Sequence, residues 1–242
     1  MLLIMRRFYA PVENFNEQKI TLSLEETRHL RDVLRLREGE EIHVFNGGGK
    51  EFLCAIEKIS KRETGLKILK EVLPTAPESS LDLTLAVALL KGEKFDLVVQ
   101  KAVELGVTRF VSLNTKRADV KLKDGERKLE RWQKIIVEAT KQCGRAALML
   151  IEAPIDFEKF IAAADGEKIL FAEKGGKSFS TVKGGAKIAA IVGAEGGWED
   201  AEIEAAREKG FHIVTFGGRI LRAETAAISI AAVLQNQFGD FV

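Results

Sequence analysis

From residue 81 onward, near-continuous apolar runs alternate with segments whose apolar residues recur at helical spacing, and this alternation restricts the possible folds more than any other feature of the chain. Residues 81–90 are an almost unbroken apolar run. Phe95, Val98, Val99 and Ala102 then recur at helical spacing over 93–105, Gly106 stops the pattern, and 110–113 are apolar again. A strand that is apolar on both sides belongs in a sheet covered on both faces, so strand, helix, strand reads as a βαβ unit with buried parallel strands. The pattern continues with a helix over 126–143, where Leu129, Trp132, Ile136, Ala139 and Cys143 share a face, and with strands near Leu148 and over 168–171, 187–192 and 211–216. This part is α/β. The last helix, 224–238, is apolar nearly all round, so it must be buried in the core or against another subunit.

The part before residue 73 has a different period. Residues 41–45, 51–59 and 65–72 read as short strands, with a hairpin signal at Asn46-Gly47-Gly48-Gly49, and a helix is expected over 25–34 after Ser23 as its cap. The basic segment from Arg28 to Arg37 lies in and beyond that helix. A small β-barrel carrying one helix fits this pattern and often presents a nucleic-acid surface. Between the two parts, Pro74 and Pro77 fix the backbone among small and polar neighbours, which marks residues 74–80 as a linker.

Composition excludes several classes. With 46% hydrophobic and 30% charged residues over 242 positions, the chain reads as a folded domain pair and not as a disordered or fibrous protein. The net charge of +1 advertises no polyanion coat, although it leaves room for local basic patches. Cys54 and Cys143 are far apart and lack nearby ligand-spaced partners, so neither a disulfide framework nor a metal site is expected. The start, Met1-Leu2-Leu3-Ile4-Met5-Arg6-Arg7, reverses the order of a secretory signal, and no apolar stretch reaches membrane-spanning length; a cytoplasmic location is expected.

Two strand-to-glycine loops stand out as candidate sites. Ile191-Val192-Gly193-Ala194-Glu195-Gly196-Gly197-Trp198 runs from a buried strand into a glycine-rich turn before a helix starting near Glu199 or Asp200. Phe216-Gly217-Gly218-Arg219-Ile220-Leu221-Arg222-Ala223-Glu224-Thr225-Ala226 has the same form, with two arginines in the loop. Glycines let a backbone approach a ligand at the carboxyl end of a parallel strand, and two such loops could wall one pocket for a small amphipathic cofactor. The alternative readings are a tight turn at the first loop and, for Glu224 and Thr225, the satisfaction of free N–H groups at a helix start. A dinucleotide fingerprint and a Walker A sequence are both missing, which removes dehydrogenase and NTPase readings. A third candidate is Lys141 and Arg145 after Glu138 at a helix C-terminus: the helix dipole favours cations there without any function, and the functional reading is contact with an RNA phosphate or an anionic base.

These motifs, in order, resemble the RsmE family of ribosomal RNA methyltransferases in the SPOUT superfamily. The matching residues are Arg6-Arg7-Phe8, His29-Leu30-Arg31-Asp32-Val33-Leu34-Arg35, Lys101-Ala102-Val103-Glu104-Leu105-Gly106-Val107, Gln142-Cys143-Gly144-Arg145 and the two glycine loops. One departure is Ala194, where the family has a proline before Glu-Gly-Gly. The resemblance implies a PUA-like β-barrel for RNA binding over 1–73, the linker 74–80, and over 81–242 an α/β-knot (SPOUT) domain with a mostly parallel sheet and a trefoil knot. It also implies S-adenosylmethionine as cofactor, a homodimer, and methylation of N3 of a uridine near the 3′ end of 16S ribosomal RNA, within the small ribosomal subunit.

By the same likeness, cofactor contacts are expected from Phe171 and Ala172; from Val192, Gly193, Glu195 and Gly197; and from Phe216, Gly218, Ile220 and Leu221. Arg222 and Arg145 are expected to stabilise the uracil anion or to position the backbone phosphate, with Glu195 and then Glu224 as the carboxylates that orient an arginine or the base. RNA contacts are expected from Arg6, Arg7, Arg28, Arg31 and Arg35, and from Arg117 and Lys121. Two rival readings are a non-catalytic RNA-binding or assembly factor, which would bind RNA without cofactor, and a SPOUT enzyme acting on transfer RNA.

Overall fold

The structure, a computed structural model, describes residues 6–118 and 125–241. The chain divides into two compact units, Met1–Glu78 with Thr140–Leu148, and Ser79–Ala139 with Met149–Val242.

In the first unit six strands form one sheet: β1 (Arg7–Tyr9), β2 (Phe15–Asn16), β3 (Lys19–Leu22), β4 (Glu41–Phe45), β5 (Glu51–Ile59) and β6 (Thr64–Val72), in the order β1-β4-β5-β6-β3-β2. β1 runs parallel to β4, and the other neighbours are antiparallel. Alternation decides what faces inward. Ile42 and Val44 of β4 join Phe8, Ile20, Cys54, Ile56 and Leu66 in the core, while Glu41 is exposed. Burial pushes the Cys54 thiol up to about 12, so it packs as a small neutral apolar group. The helix expected over 25–34 comes in two pieces. α1 (Leu24–Arg28) is capped by Ser23, whose Oγ accepts from the Glu26 N–H at 3.3 Å, and a π-helical turn follows over His29–Val33.

The segment Thr140–Leu148 belongs to the first unit although it is distant in sequence, and it explains one correction. Arg7 neighbours the core residue Phe8 on β1, so alternation turns it to the opposite face, where solvent and RNA would be expected. That face is covered. The Arg7 guanidinium donates to both oxygens of Glu51, at 3.2 and 2.7 Å, and to the carbonyl oxygens of Thr140, Lys141 and Arg145 at 2.9, 2.9 and 2.8 Å. Thr140 and Lys141 end the helix Gly125–Cys143, where free carbonyls and the helix dipole both favour a cation. Arg7 is therefore a buried structural arginine, not the RNA contact expected from sequence.

In the second unit every strand pairing is parallel. The elements are β7 (Asp82–Ala88), α2 (Lys94–Glu104), β8 (Arg109–Asn114), α3 (Gly125–Cys143), β9 (Leu150–Ile151), β10 (Ile155–Asp156), α4 (Phe157–Ala163), β11 (Glu167–Phe171), β12 (Lys177–Ser178), β13 (Lys187–Val192), α5 (Asp200–Glu208), β14 (His212–Thr215) and α6 (Ala223–Phe238). The strand order is β10-β8-β7-β13-β11-β14-β12, with β9 also paired to β8. The apolar runs are the central strands: Leu83 to Ala88 of β7 and Ile188 to Val192 of β13 are buried, apart from slight exposure at Thr84. Strands β13, β11 and β14 are neighbours and point the same way, so the segments that leave their carboxyl ends emerge side by side. That adjacency places the site.

Candidate cofactor pocket

The cavity, of about 270 Å³, opens at the carboxyl ends of β11, β13 and β14. Phe171 at the end of β11 lines it with Ala172 and Glu173 just beyond, and Val192 at the end of β13 lines it with Gly193 to Glu195, Gly197 and Trp198 of the following loop. Phe216 and residues 219–222 come from the loop after β14, and Ala223, Ala226 and Ile230 of α6 complete the wall. Of the residues expected to contact a cofactor, nine stand in this one wall. Gly218 does not line it, although the same loop carries it at φ +89°.

The turn after β13 is held from several sides. Gly197, at φ +68°, donates its N–H to the Ala194 carbonyl at 2.9 Å, which closes the turn that the missing proline would otherwise stiffen. The Trp198 indole donates to the Phe171 carbonyl at 2.9 Å and packs on Phe157, so this side chain ties the turn to β11. A Cβ on Gly193 would stand 3.0 Å from the Trp198 ring, which explains the need for glycine there. On the outer side, Arg117 donates to the Gly196 carbonyl at 3.2 Å. Replacing Trp198 by phenylalanine strands the buried Phe171 carbonyl and is expected to lower stability by about 1–3 kcal/mol in denaturant unfolding.

The loop after β14 is built differently. Residues 217–220 are exposed, and among the described residues no backbone hydrogen bond engages the N–H and C=O groups of 217–221. Ile220 is 80% exposed at the rim, an apolar side chain without cover. An apolar cleft bordered by free backbone donors and acceptors fits a ligand with a flat, hydrogen-bonding heterocycle and an aliphatic charged tail, as S-adenosylmethionine has.

Glu173, Glu195, Arg219 and Arg222 are the charged residues of the wall, and Glu224 follows in the first turn of α6. Arg222 is exposed and caps α6 through its carbonyl, which accepts from Ala226 at 2.8 Å; its side chain makes no capping bond. Glu195 was expected to orient an arginine, but its partner is a lysine, with Lys94 Nζ 3.0 Å from Glu195 Oε1. Partial burial alone would raise the Glu195 pKa. The hydrogen bond from Lys94, the backbone N–H groups of Glu195 and Lys91 and the lysine charge outweigh it, so the carboxyl lies below its ordinary range. Glu224 also faces Lys94, at 3.7 Å, and makes no side-chain bond to the N–H groups of its own helix among the described residues. Lys94 was not singled out from sequence. One signal was present: a lysine as the first residue of a helix opposes the helix dipole, so local preference does not put it there.

The remaining expected residues lie elsewhere. Arg145 does not line the cavity. It is buried in the first unit, where its Nε and Nη2 donate to Glu78 Oε2 at 2.9 and 2.7 Å, so its guanidinium is paired with a carboxylate. Arg6 is exposed and paired with Glu40; Arg31 is held by both oxygens of Asp32 and by the Ser60 and Lys61 carbonyls. Arg28 and Arg35 are exposed, as is Arg117, while Lys121 lies outside the described residues.

Comparison with known proteins agrees with both units. Residues 77–235 match the model of the RNA methyltransferase domain, and 23–69 match that of the RNA methyltransferase PUA domain. Ribosomal RNA small subunit methyltransferase E of Synechocystis sp. is 36% identical over 228 residues, covering 91% of this chain and 74% of its own. The protein of that name from Aquifex aeolicus is 34% identical, covering 87% of this chain and 91% of its own. Among solved structures, ribosomal RNA small subunit methyltransferase E from Neisseria gonorrhoeae, bound to S-adenosyl methionine, superimposes with a TM-score of 0.90 at 34% identity over 98% of this chain and all of its own. A Legionella pneumophila methyltransferase with bound SAM gives a TM-score of 0.90 at 35% identity over 98% of this chain and 99% of its own. A PUA-type unit joined to a parallel-sheet α/β domain, the class expected from the resemblance, is the class of these matches. With a domain model spanning most of the chain and relatives above 30% identity along nearly all of it, this protein belongs to the RNA methyltransferases, in the ribosomal RNA small subunit methyltransferase E family.

Proposed function

We propose that this protein uses S-adenosylmethionine to methylate N3 of a uridine near the 3′ end of 16S ribosomal RNA, as a homodimer in the cytoplasm. The observation that carries the reading is the cavity itself: residues of two distant glycine loops and of β11 line one apolar cleft bordered by free backbone groups. Solved relatives at 34% and 35% identity hold this cofactor. Half-buried Ile228, Ala232 and Val233 on α6 supply an apolar strip for a second copy. No helix among the described residues is long and apolar enough to cross a membrane.

The bound cofactor supplies a methyl group on a positively charged sulfur. The chain's own residues do the rest. Backbone groups of 217–221 and the walls at Phe171, Val192 and Leu221 would hold and orient the ligand, which limits the geometries open to donor and acceptor. Uracil N3 is a poor nucleophile until its proton leaves. Arg222, exposed at the cavity wall beside a helix N-terminus, is placed to stabilise the negative charge that then develops on the uracil oxygens. Glu195, kept ionised by Lys94, holds its loop and does not serve as a proton donor.

RNA binding is assigned to the exposed Arg28 and Arg35 of the first unit and Arg117 of the second, with Arg6 and Arg31 acting at the cost of their carboxylate pairs. Affinity should therefore fall steeply with salt, and Arg28→Ala and Arg35→Ala should each reduce the slope of log affinity against log salt by about 1. The reaction is tested by incubating the protein with labelled S-adenosylmethionine and small-subunit particles lacking the modification, followed by nucleoside analysis. Label in N3-methyluridine of 16S RNA is expected. Label only in transfer RNA, or RNA binding with no transfer, would overturn the reading.

A further inference from the structure

Lys94 stands at the meeting point of three chain connections. It opens α2 just after the segment that leaves β7. Its ammonium lies 3.0 Å from Glu195 Oε1, on the loop after β13, and 3.7 Å from Glu224 Oε2, in the first turn of α6. Glu224 Oε2 is sealed from solvent and has no hydrogen bond among the described residues, which leaves the ammonium to balance its charge. Lys94 itself does not line the cavity, whereas Glu195 lines one wall and Arg222, Ala223 and Ala226 line the wall that Glu224 extends.

Resting on the reading of this cavity as the cofactor pocket, we propose that Lys94 is a positioning residue: one ammonium clasps the Glu195 loop to the Glu224 turn and thereby sets the spacing of the pocket walls. Two arguments support it. A lysine at the first residue of a helix is disfavoured by the dipole, so its presence needs a compensating partner, and here there are two. Without the ammonium, two carboxylates on opposite walls face each other with one of them shielded from water, and they either repel the walls apart or share a proton.

The groups that face one another are Glu195, Glu224 and Lys94, with the Lys91 N–H as an added donor to Glu195. The expected pH dependence follows from them. In the native protein the Glu195 carboxyl is depressed, so its stabilising effect is present above the ordinary carboxylate pKa and is lost as pH falls through the depressed value. In Lys94→Met the sign reverses. Repulsion raises a carboxyl in the folded state, the folded protein holds the extra proton, and stability is lost as pH rises through the raised value.

The test compares wild type, Lys94→Met, Lys94→Arg and the double variant Lys94→Met/Glu224→Gln. Two quantities are measured at pH 5.5 and 8: the calorimetric dissociation constant for S-adenosylmethionine and the melting temperature of the ligand-free protein. Lys94→Met should bind about fivefold more weakly than wild type at pH 8 and recover most of that loss at pH 5.5. Adding Glu224→Gln should restore binding at pH 8, and Lys94→Arg should stay close to wild type. The deficit in melting temperature of ligand-free Lys94→Met should likewise shrink as pH falls. Equal affinity for wild type and Lys94→Met, or a loss that neither low pH nor Glu224→Gln relieves, would overturn the clasp. Failure of the wild type to bind the cofactor would instead overturn the pocket assignment, and the ligand-free melting series would still decide whether the clasp exists.

Discussion

Arg7→Ala is expected to destabilise the first unit by about 3–5 kcal/mol, the cost of stripping one partner from a buried ion pair. Both side chains are almost completely enclosed, Arg7 at 2% and Glu51 at 1% exposure, so the remaining carboxylate has no water to turn to. His43 Nδ1, 2.9 Å from Glu51 Oε1, offsets only part of the loss. The carbonyls of Thr140, Lys141 and Arg145 lose their donor at the same time. Denaturant unfolding measures the effect, and Arg7→Met combined with Glu51→Leu should recover much of it, because the pair can be exchanged for apolar packing while a lone buried charge cannot be tolerated. An Arg7→Ala protein of unchanged stability that bound RNA with a weaker salt dependence would return Arg7 to the RNA surface.

Arg222→Ala is expected to act in the opposite way, leaving the fold intact and lowering turnover about a hundredfold. Arg222 makes no side-chain capping bond, and the Ala226 N–H bonds to its backbone carbonyl, which alanine also has. A cation beside a helix N-terminus opposes the dipole, so its removal carries no stability cost from that source. Cofactor affinity should change by no more than about twofold, since the charge is needed only when the uracil becomes anionic. Single-turnover methyl transfer alongside calorimetric binding separates the two quantities. Equal loss in both would make Arg222 a binding or structural residue.

The parts of this protein that can be read from its sequence are those whose determinants are local. Residues 187–192 are a strand in the sequence pattern and in the structure because a strand covered on both faces has to be apolar throughout. The two glycine loops are legible because strand ends and glycines are adjacent in sequence, and the structure brings seven of their expected contacts into one wall with Phe171 and Ala172. β1, β2 and β3, of three, two and four residues, are too short to stand out by period. The helix over 25–34 reads as one piece in sequence, whereas the π turn packs Leu30 into the core and bonds Arg31 to the Ser60 and Lys61 carbonyls, contacts distant in sequence. Arg7 misled for a reason that the burial of Arg145 shares. A basic residue next to a family motif looks like a ligand contact, and nothing nearby in sequence reveals that 140–148 covers the face of β1 or that Glu78 pairs with Arg145. Lys94 escaped notice because its partner Glu195 stands 101 positions away.

The most direct test of the cofactor assignment is calorimetric titration of S-adenosylmethionine into the wild type and into Ala226→Phe, a substitution on α6 that fills the cavity from its wall. The wild type should bind one equivalent per chain, and Ala226→Phe, still folded by its melting curve, should give no heat of binding. Undiminished binding by a folded Ala226→Phe protein, or no binding by the wild type, would contradict the assignment of this cavity as the methyl-donor site.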